Sequence, residues 1–350
     1  MDLLKKIRGD FIGLDTMYTL ADGRRTRRIY LDSTASTLIM GSAHKAIQQF
    51  YNHYANTHSL LHFSAKISTQ EYEWAHNRIL SFLQADPEDY TCFFTGSGST
   101  GGINRLARVF RDYNSEKEIA IISLMEHHSN DLPHRKHAKK VVHIPLDNHD
   151  GQPGCINVQF LENTLKQNQG NVSYVAVTGV SNVTGIINPI YNIAELAHSY
   201  DTFIIVDGAQ MVAHLPVKIS GHKNQNRNID AFVFSGHKAY APGSPGTVIC
   251  RKDILSSIEP EEVGGGMVEH VFLDRMPILK TTRTHFQVRL RLLGQVRRDG
   301  RDAAGMNLRG RLHSGCGQIP GYQYQDENVG IFHVQRRIIH FLPVRASAFT

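Results

Sequence analysis

Between about residue 90 and residue 250, short runs rich in Val, Ile and Phe recur with little polar alternation. They lie at 90–95, 119–124, 141–145, 172–178, 203–206, 231–234 and 247–251. Runs of this length and composition fit strands covered on both faces. Between them, residues 102–110, 158–167 and 192–199 carry apolar positions at helical spacing. Strand, crossover helix and strand in repetition predict an α/β domain with a mostly parallel sheet. Residues 41–84 predict two helices ahead of it, and no internal repeat or low-complexity linker breaks the pattern. In open sheets of this kind ligands bind just beyond the carboxyl ends of the strands. The residues that follow each run are therefore the ones to read for chemistry.

Composition narrows the setting. The 350 residues suffice for a large domain and a smaller one, and 41% hydrophobic content is ordinary for a soluble globular protein. The start, Met1-Asp2-Leu3-Leu4-Lys5-Lys6-Ile7-Arg8, places charges where a signal peptide needs an apolar run. No stretch approaches the ~18 consecutive apolar residues of a membrane span, so no membrane association is expected. Cys92, Cys155, Cys250 and Cys316 are scattered without metal-ligand spacing, which favours a reducing, cytoplasmic setting. The net charge of +6 is unevenly placed. Residues 281–350 hold 11 Arg, no Lys and 4 acidic residues, leaving 27 of the 38 basic and 28 of the 32 acidic residues elsewhere. A basic tail can contact phosphate backbones non-specifically, but nothing else resembles a nucleic-acid module, and no specific nucleic-acid partner is expected.

Four segments after predicted strands carry candidate chemistry. Gly96-Ser97-Gly98-Ser99-Thr100-Gly101-Gly102 leads from a strand into a helix. Its backbone N–H groups, with the Ser99 and Thr100 hydroxyls, suit a phosphate. Gly96, Gly98 and Gly101 also satisfy the dinucleotide fingerprint, with Glu126 as its ribose-binding acid, and a ligand-free turn is the third reading. In Met125-Glu126-His127-His128-Ser129-Asn130, a pair of loop histidines can be surface residues, metal ligands or a ring set against a flat cofactor; no third ligand has zinc spacing. Asp207-Gly208-Ala209-Gln210 puts an acid at a strand's carboxyl end. There it can partner a protonated ring nitrogen or merely cap the next helix. Ser235-Gly236-His237-Lys238 offers an amine in a comparable place, suited to a Schiff base if it is partly neutral and correctly aimed.

Taken in order, Tyr30-Leu31-Asp32-Ser33, Gly98-Ser99-Thr100 with Asn104, Glu126-His127-His128-Ser129-Asn130, Ser181-Asn182-Val183-Thr184-Gly185, Asp207-Gly208-Ala209-Gln210 and Ser235-Gly236-His237-Lys238 resemble class V aminotransferase-fold enzymes dependent on pyridoxal 5'-phosphate (PLP). Among them the cysteine desulfurase and selenocysteine lyase branch is the most similar. The resemblance runs over about residues 28–280 and decides against the dinucleotide reading. It implies an α/β, aspartate aminotransferase-like (fold type I) large domain over 29–280, after an N-terminal segment 1–28. It also implies that Lys238 holds PLP covalently and moves protons, that Asp207 pairs with the pyridine nitrogen and that His127 stacks on the ring. Asn182 and Gln210 would flank the phenolic oxygen, and Ser99, Thr100, Ser235 and His237 would hold the phosphate. Lys238 and His127 are thus the implied catalytic residues, with no metal. A cysteine-like amino-acid substrate, a homodimer and a sulfur-accepting protein are implied as partners. Gly264-Gly265-Gly266-Met267 resembles the glycine run that approaches the partner subunit's site.

After about Thr281 the resemblance stops. Thr282-Arg283-Thr284-His285-Phe286-Gln287-Val288-Arg289 stands where the family's cross-dimer threonine segment is expected. The composition then shifts to Arg, Gly, Gln and His. This predicts a divergent, poorly ordered basic tail over 281–350, an incomplete small domain, and a change of reading frame near residue 281, which translation in the other two frames tests. Either an active enzyme or a non-catalytic PLP-binding remnant fits that pattern, as does another class V aminotransferase or lyase. Cys316, in Ser314-Gly315-Cys316-Gly317, reads as a free thiol rather than a sulfur-accepting nucleophile.

Overall fold

The computed structural model describes residues 3–57, 59–149, 151–260 and 263. The expectations for 264–267, for 281–350 and for Cys316 lie outside the described residues. In chain order the elements are α1 (Leu3–Gly9), β1 (Met17–Thr19), β2 (Arg25–Arg27), α2 (Gly41–Tyr51), α3 (Phe63–Phe82), β3 (Tyr90–Thr95), α4 (Gly98–Tyr113), β4 (Ile119–Ser123), α5 (His128–His137), β5 (Lys140–Ile144), β6 (Leu146–His149), β7 (Gln152–Ile156), α6 (Val158–Gln167), β8 (Val172–Thr178), α7 (Ile190–Ser199), β9 (Phe203–Asp207), β10 (Ala231–Ser235), β11 (Gly246–Arg251) and α8 (Lys252–Ser256).

Seven strands form one sheet in the order β3-β11-β10-β9-β8-β4-β5. The β10–β9, β9–β8, β8–β4 and β4–β5 pairs are parallel, and only β11 runs against its two neighbours, β10 and β3. Helices cover both faces. On one, Ile121, Val175, Val177, Ile204, Phe232 and Phe234 pack with Ile79 and Leu80 of α3, Leu161 of α6 and Ile193 of α7. On the other, Ile122, Tyr174, Ile205 and Val233 pack with Ile103, Leu106 and Phe110 of α4 and with Leu255 of α8. Alternate residues of one strand thus serve opposite cores, which is why these strands lack polar alternation. All seven residues of β8 are buried.

The strand and helix expectations for 90–251 match elements to within a few residues, with two departures. The helix expected at 102–110 begins earlier, at Gly98, so only Gly96 and Ser97 separate it from β3. The paired histidines do not lie on a loop: His128 opens α5, and the His127 side chain caps it by accepting from the Ser129 N–H. Pro133 lies inside this helix, and Asn130, Pro133 and His134 form its buried side. That packing holds a helix whose polar sequence and proline argue against one. The β1–β2 and β6–β7 hairpins were not expected. Among the described residues no helix is long and apolar enough to cross a membrane.

Candidate active site

Strands β3, β4, β8, β9 and β10 all point their carboxyl ends toward one cavity of about 610 Å³. It is lined by Ser99, Thr100, His127, Asn182, Asp207, Gln210, Ser235, His237 and Lys238, so all nine residues singled out from the sequence meet there.

Lys238 closes a short 3-10 turn, Gly236–Lys238, directly after β10. The turn is tight enough that a Cβ on Gly236 would come within 2.0 Å of the Ser244 hydroxyl, a place only glycine can fill. A strap from the N-terminal side holds it. Thr37 Oγ1 donates to the His237 carbonyl at 2.9 Å, and the Tyr240 N–H donates to Thr37 Oγ1 at 2.9 Å. His237 Nδ1 lies 3.2 Å from Ser36 Oγ. Burial, with the neighbouring Lys238 charge, holds the His237 imidazole below its ordinary pKa, so near neutral pH the ring is an uncharged hydrogen-bonding group.

Beside that turn, α4 starts in the glycine-rich segment. Gly98 takes a left-handed backbone (φ +61°), and a Cβ there would meet Ser235 Oγ at 2.9 Å. The close approach lets the Ser99 N–H donate to Ser235 Oγ at 2.7 Å, tying the ends of β3 and β10 together. Ser97 makes no side-chain cap on this 16-residue helix, and its first residues, Gly98, Ser99 and Thr100, line the cavity, which puts the positive helix end there. Hydroxyls of Ser99, Thr100 and Ser235, the His237 ring and the Lys238 amine share that wall. Such a donor set suits a phosphoryl group.

Asp207 ends β9 and is 4% exposed. Burial raises its pKa, opposed by the Ala209 N–H, which donates to Oδ1 at 2.9 Å, and by the charge of Lys238. A sunken carboxyl of this kind is stabilised by any cation placed against it. His127 Nδ1 accepts from the Ser129 N–H at 3.1 Å, which leaves Nε2 to carry the proton of the neutral ring. Ser129 Oγ joins His127 Nδ1, at 3.0 Å, to Thr100 Oγ1, at 2.8 Å, and so links the β4 and β3 ends. Gln210 Nε2 donates to the Thr34 carbonyl at 2.7 Å. Asn182 sits in a tight turn after β8, where Ser181 Oγ accepts from the Val183 and Thr184 N–H groups. Glu126, weighed from the sequence as a ribose-binding acid, does not line the cavity; its carboxyl accepts from Thr178 N and Asn130 Nδ2 within the fold.

Asp32, Thr34, Ser97, Ser129 and Thr178 also line the cavity, without a role expected from the sequence. Asp32, Ser97 and Ser129 lie inside the motifs described above. Thr34 has no local signature, because the bond that places it joins residues 176 apart in the chain.

The family model "Aminotransferase class-V" matches residues 29–287. A "probable cysteine desulfurase" of Halalkalibacterium halodurans is 33% identical over 251 residues, covering 70% of this chain and 58% of that protein. A cysteine desulfurase of Escherichia coli is 35% identical over 250 residues with the same coverage. The chain thus spans little more than half the length of these curated relatives. Among solved structures, a cysteine desulfurase of Escherichia coli superposes with a TM-score of 0.63 at 28% identity, covering 80% of this chain and 66% of that one. An apo cysteine desulfurase of Thermococcus onnurineus does so with a TM-score of 0.67 at 23% identity, covering 83% and 67%, which bears on the fold alone. The sheet order, the two helical layers and these neighbours identify the fold as the fold type I large domain of PLP-dependent transferases. The chain belongs to the class-V aminotransferase family.

Proposed function

We propose that this chain carries the PLP site of an enzyme acting on amino acids, of the cysteine desulfurase kind. The observation that carries the reading is the meeting of an amine, Lys238, with a buried carboxyl, Asp207, and a hydroxyl-lined helix N-terminus on one cavity. Those three groups match the aldehyde, ring nitrogen and phosphate of PLP. In this reading residues 29–280 are the cofactor-binding domain. A second copy of the chain and a sulfur-accepting protein are its partners, and a reducing cytoplasm is its setting.

Ser99, Thr100, Ser235 and His237, with the first N–H groups of α4, would hold the phosphate. Asp207 would face the pyridine nitrogen and keep its proton in place, since a carboxylate sunk in the fold strongly favours an adjacent cation. His127 would cover one ring face, and Asn182 and Gln210 would flank the phenolic oxygen. Gln210 spends one amide hydrogen on Thr34, which aims the other. Lys238 would hold the cofactor covalently and later move protons at the substrate Cα, a role open to an amine set at the end of a rigid strand. PLP, when bound, spreads the negative charge that develops on the substrate's carbon.

The test is colour and covalency. Purified protein supplied with PLP should turn yellow, and borohydride should bleach it and fix the label on Lys238. Lys238→Ala should take up no fixed label. Release of sulfide and alanine from cysteine would establish turnover. Colour without turnover would assign the chain to the non-catalytic PLP-binding reading, and a colourless wild type would overturn both.

A further inference from the structure

Next to His127 starts a partly buried polar chain that the roles above do not use. Glu126 is its end. Its Oε1 takes the Thr178 N–H at 3.0 Å and the Ser123 hydroxyl, while Oε2 takes Asn130 Nδ2 at 2.6 Å. One side chain therefore ties the last residues of β4 and β8 to the first turn of α5. Thr178 in turn pairs with Asp207 in the β8–β9 register. The chain continues inward, with Asn130 Oδ1 3.0 Å from His134 Nε2 and His134 Nδ1 3.0 Å from the Tyr174 hydroxyl.

Its directions are fixed. Because Asn130 gives its amide hydrogens to Glu126, its oxygen must accept from His134 Nε2–H, and His134 Nδ1 must then accept from Tyr174. Burial pushes His134 down to about 3, so the ring stays neutral and can play both parts. Burial likewise pushes the Glu126 carboxyl up to about 8, against the pull of its three donors.

We propose that Glu126 is a positioning residue for His127. Its carboxyl clamps the turn between β4 and α5, so that the next residue's imidazole is held against the cavity with Nδ1 on the Ser129 N–H. The consequence for PLP rests on the function proposed above; the clamp itself does not.

Two measurements test it. The first needs no cofactor: amide hydrogen exchange at Ser129, whose N–H touches His127 and not Glu126. In Glu126→Ala the Ser129 amide should exchange about tenfold faster, the scale of one lost buried hydrogen bond, while the mid-strand Val175 amide keeps its rate. Glu126→Gln preserves shape, but its NH2 cannot accept from Asn130 or Thr178, so it should fall between parent and Ala and serves if Ala does not fold. The second is a double-mutant cycle on the apparent Kd for PLP. Glu126→Ala should weaken binding about tenfold, and Glu126→Ala/His127→Ala should bind no worse than His127→Ala alone.

An unchanged Ser129 amide in both Glu126 variants would overturn the proposal, as would additive losses in the cycle. A parent protein that binds no PLP, yet shows the Ser129 effect, would sink the function reading and leave the clamp standing.

Discussion

Asp207 is where the cost of function is most visible on a single residue. The fold sinks its carboxyl at the end of β9, with the Ala209 N–H as its near hydrogen-bond partner. Burial alone disfavours its charged form. Asp207→Asn keeps an oxygen for Ala209 and removes the charge, so the cofactor-free protein should gain about 1 kcal/mol in stability. On the function proposed above, the same change should weaken PLP about tenfold or more, because the charge-assisted bond assigned there to the ring nitrogen would be lost. Denaturant melts of cofactor-free protein, beside PLP titrations, give both numbers. A variant that is less stable and binds PLP unchanged would contradict this account. Residues of this kind are legible in sequence because the strand-end rule places them. Ser235, His237 and Lys238 were found in the same way, directly after β10. Thr37 was not, although it stitches the turn that carries Lys238, since its bonds cross about 200 residues and leave no local pattern.

Among the elements, α4 meets the cavity wall and the core at once. Its neighbouring glycines should respond to substitution with opposite signs. A Cβ on Gly101 finds its nearest neighbours at 3.5 Å, ordinary contact. Gly101→Ala should therefore stabilise the helix by about 0.5–1 kcal/mol through propensity. A Cβ on Gly102 would sit 2.6 Å from Val248 Cγ2 and 2.9 Å from Val233 Cγ1, both on stiff branched side chains of the sheet. Gly102→Ala should cost about 1–3 kcal/mol by lifting α4 off β10 and β11, and should loosen PLP because the same helix starts at Gly98. Chemical denaturation of the two variants side by side decides the matter; shifts of the same sign would refute the packing argument. Legibility at this scale followed burial. β8, buried on both faces, carries Val, Tyr or Thr at five of its seven positions and no charged residue. By contrast, α5 packs only Asn130, Pro133 and His134 inward. A helix whose inner side is polar carries no hydrophobic period to read.

Over the whole molecule, chemistry gathers at the carboxyl ends of the strands, while a second polar cluster fastens the opposite side of the sheet. There Asp230, 1% exposed, binds His198 Nε2 at 2.8 Å, Arg251 Nη1 at 3.0 Å and the Ile204 N–H at 2.8 Å. It thereby joins α7, β9 and the end of β11. His198 Nδ1 faces the Asn226 carbonyl at 2.7 Å, so both ring nitrogens point at acceptors. Burial works against the imidazolium, and Arg251 repels it. The Asp230 hydrogen bond and charge, with the Asn226 carbonyl, outweigh both, and the pKa is raised. A histidine whose folded pKa exceeds its unfolded one lends stability that is complete below the unfolded value of about 6.5. That stability fades as pH climbs through the folded value. Stability should therefore be greater at a pH below about 6.5 than at a pH above the folded value, by the increment this one proton carries. His198→Gln, which cannot take up the proton, should lose that increment. The difference between parent and variant denaturation curves at the two pH values isolates it. A difference that does not change with pH would mean that the His198–Asp230 pair is not ionic, and that the cluster holds the sheet by its neutral hydrogen bonds and the Arg251 charge.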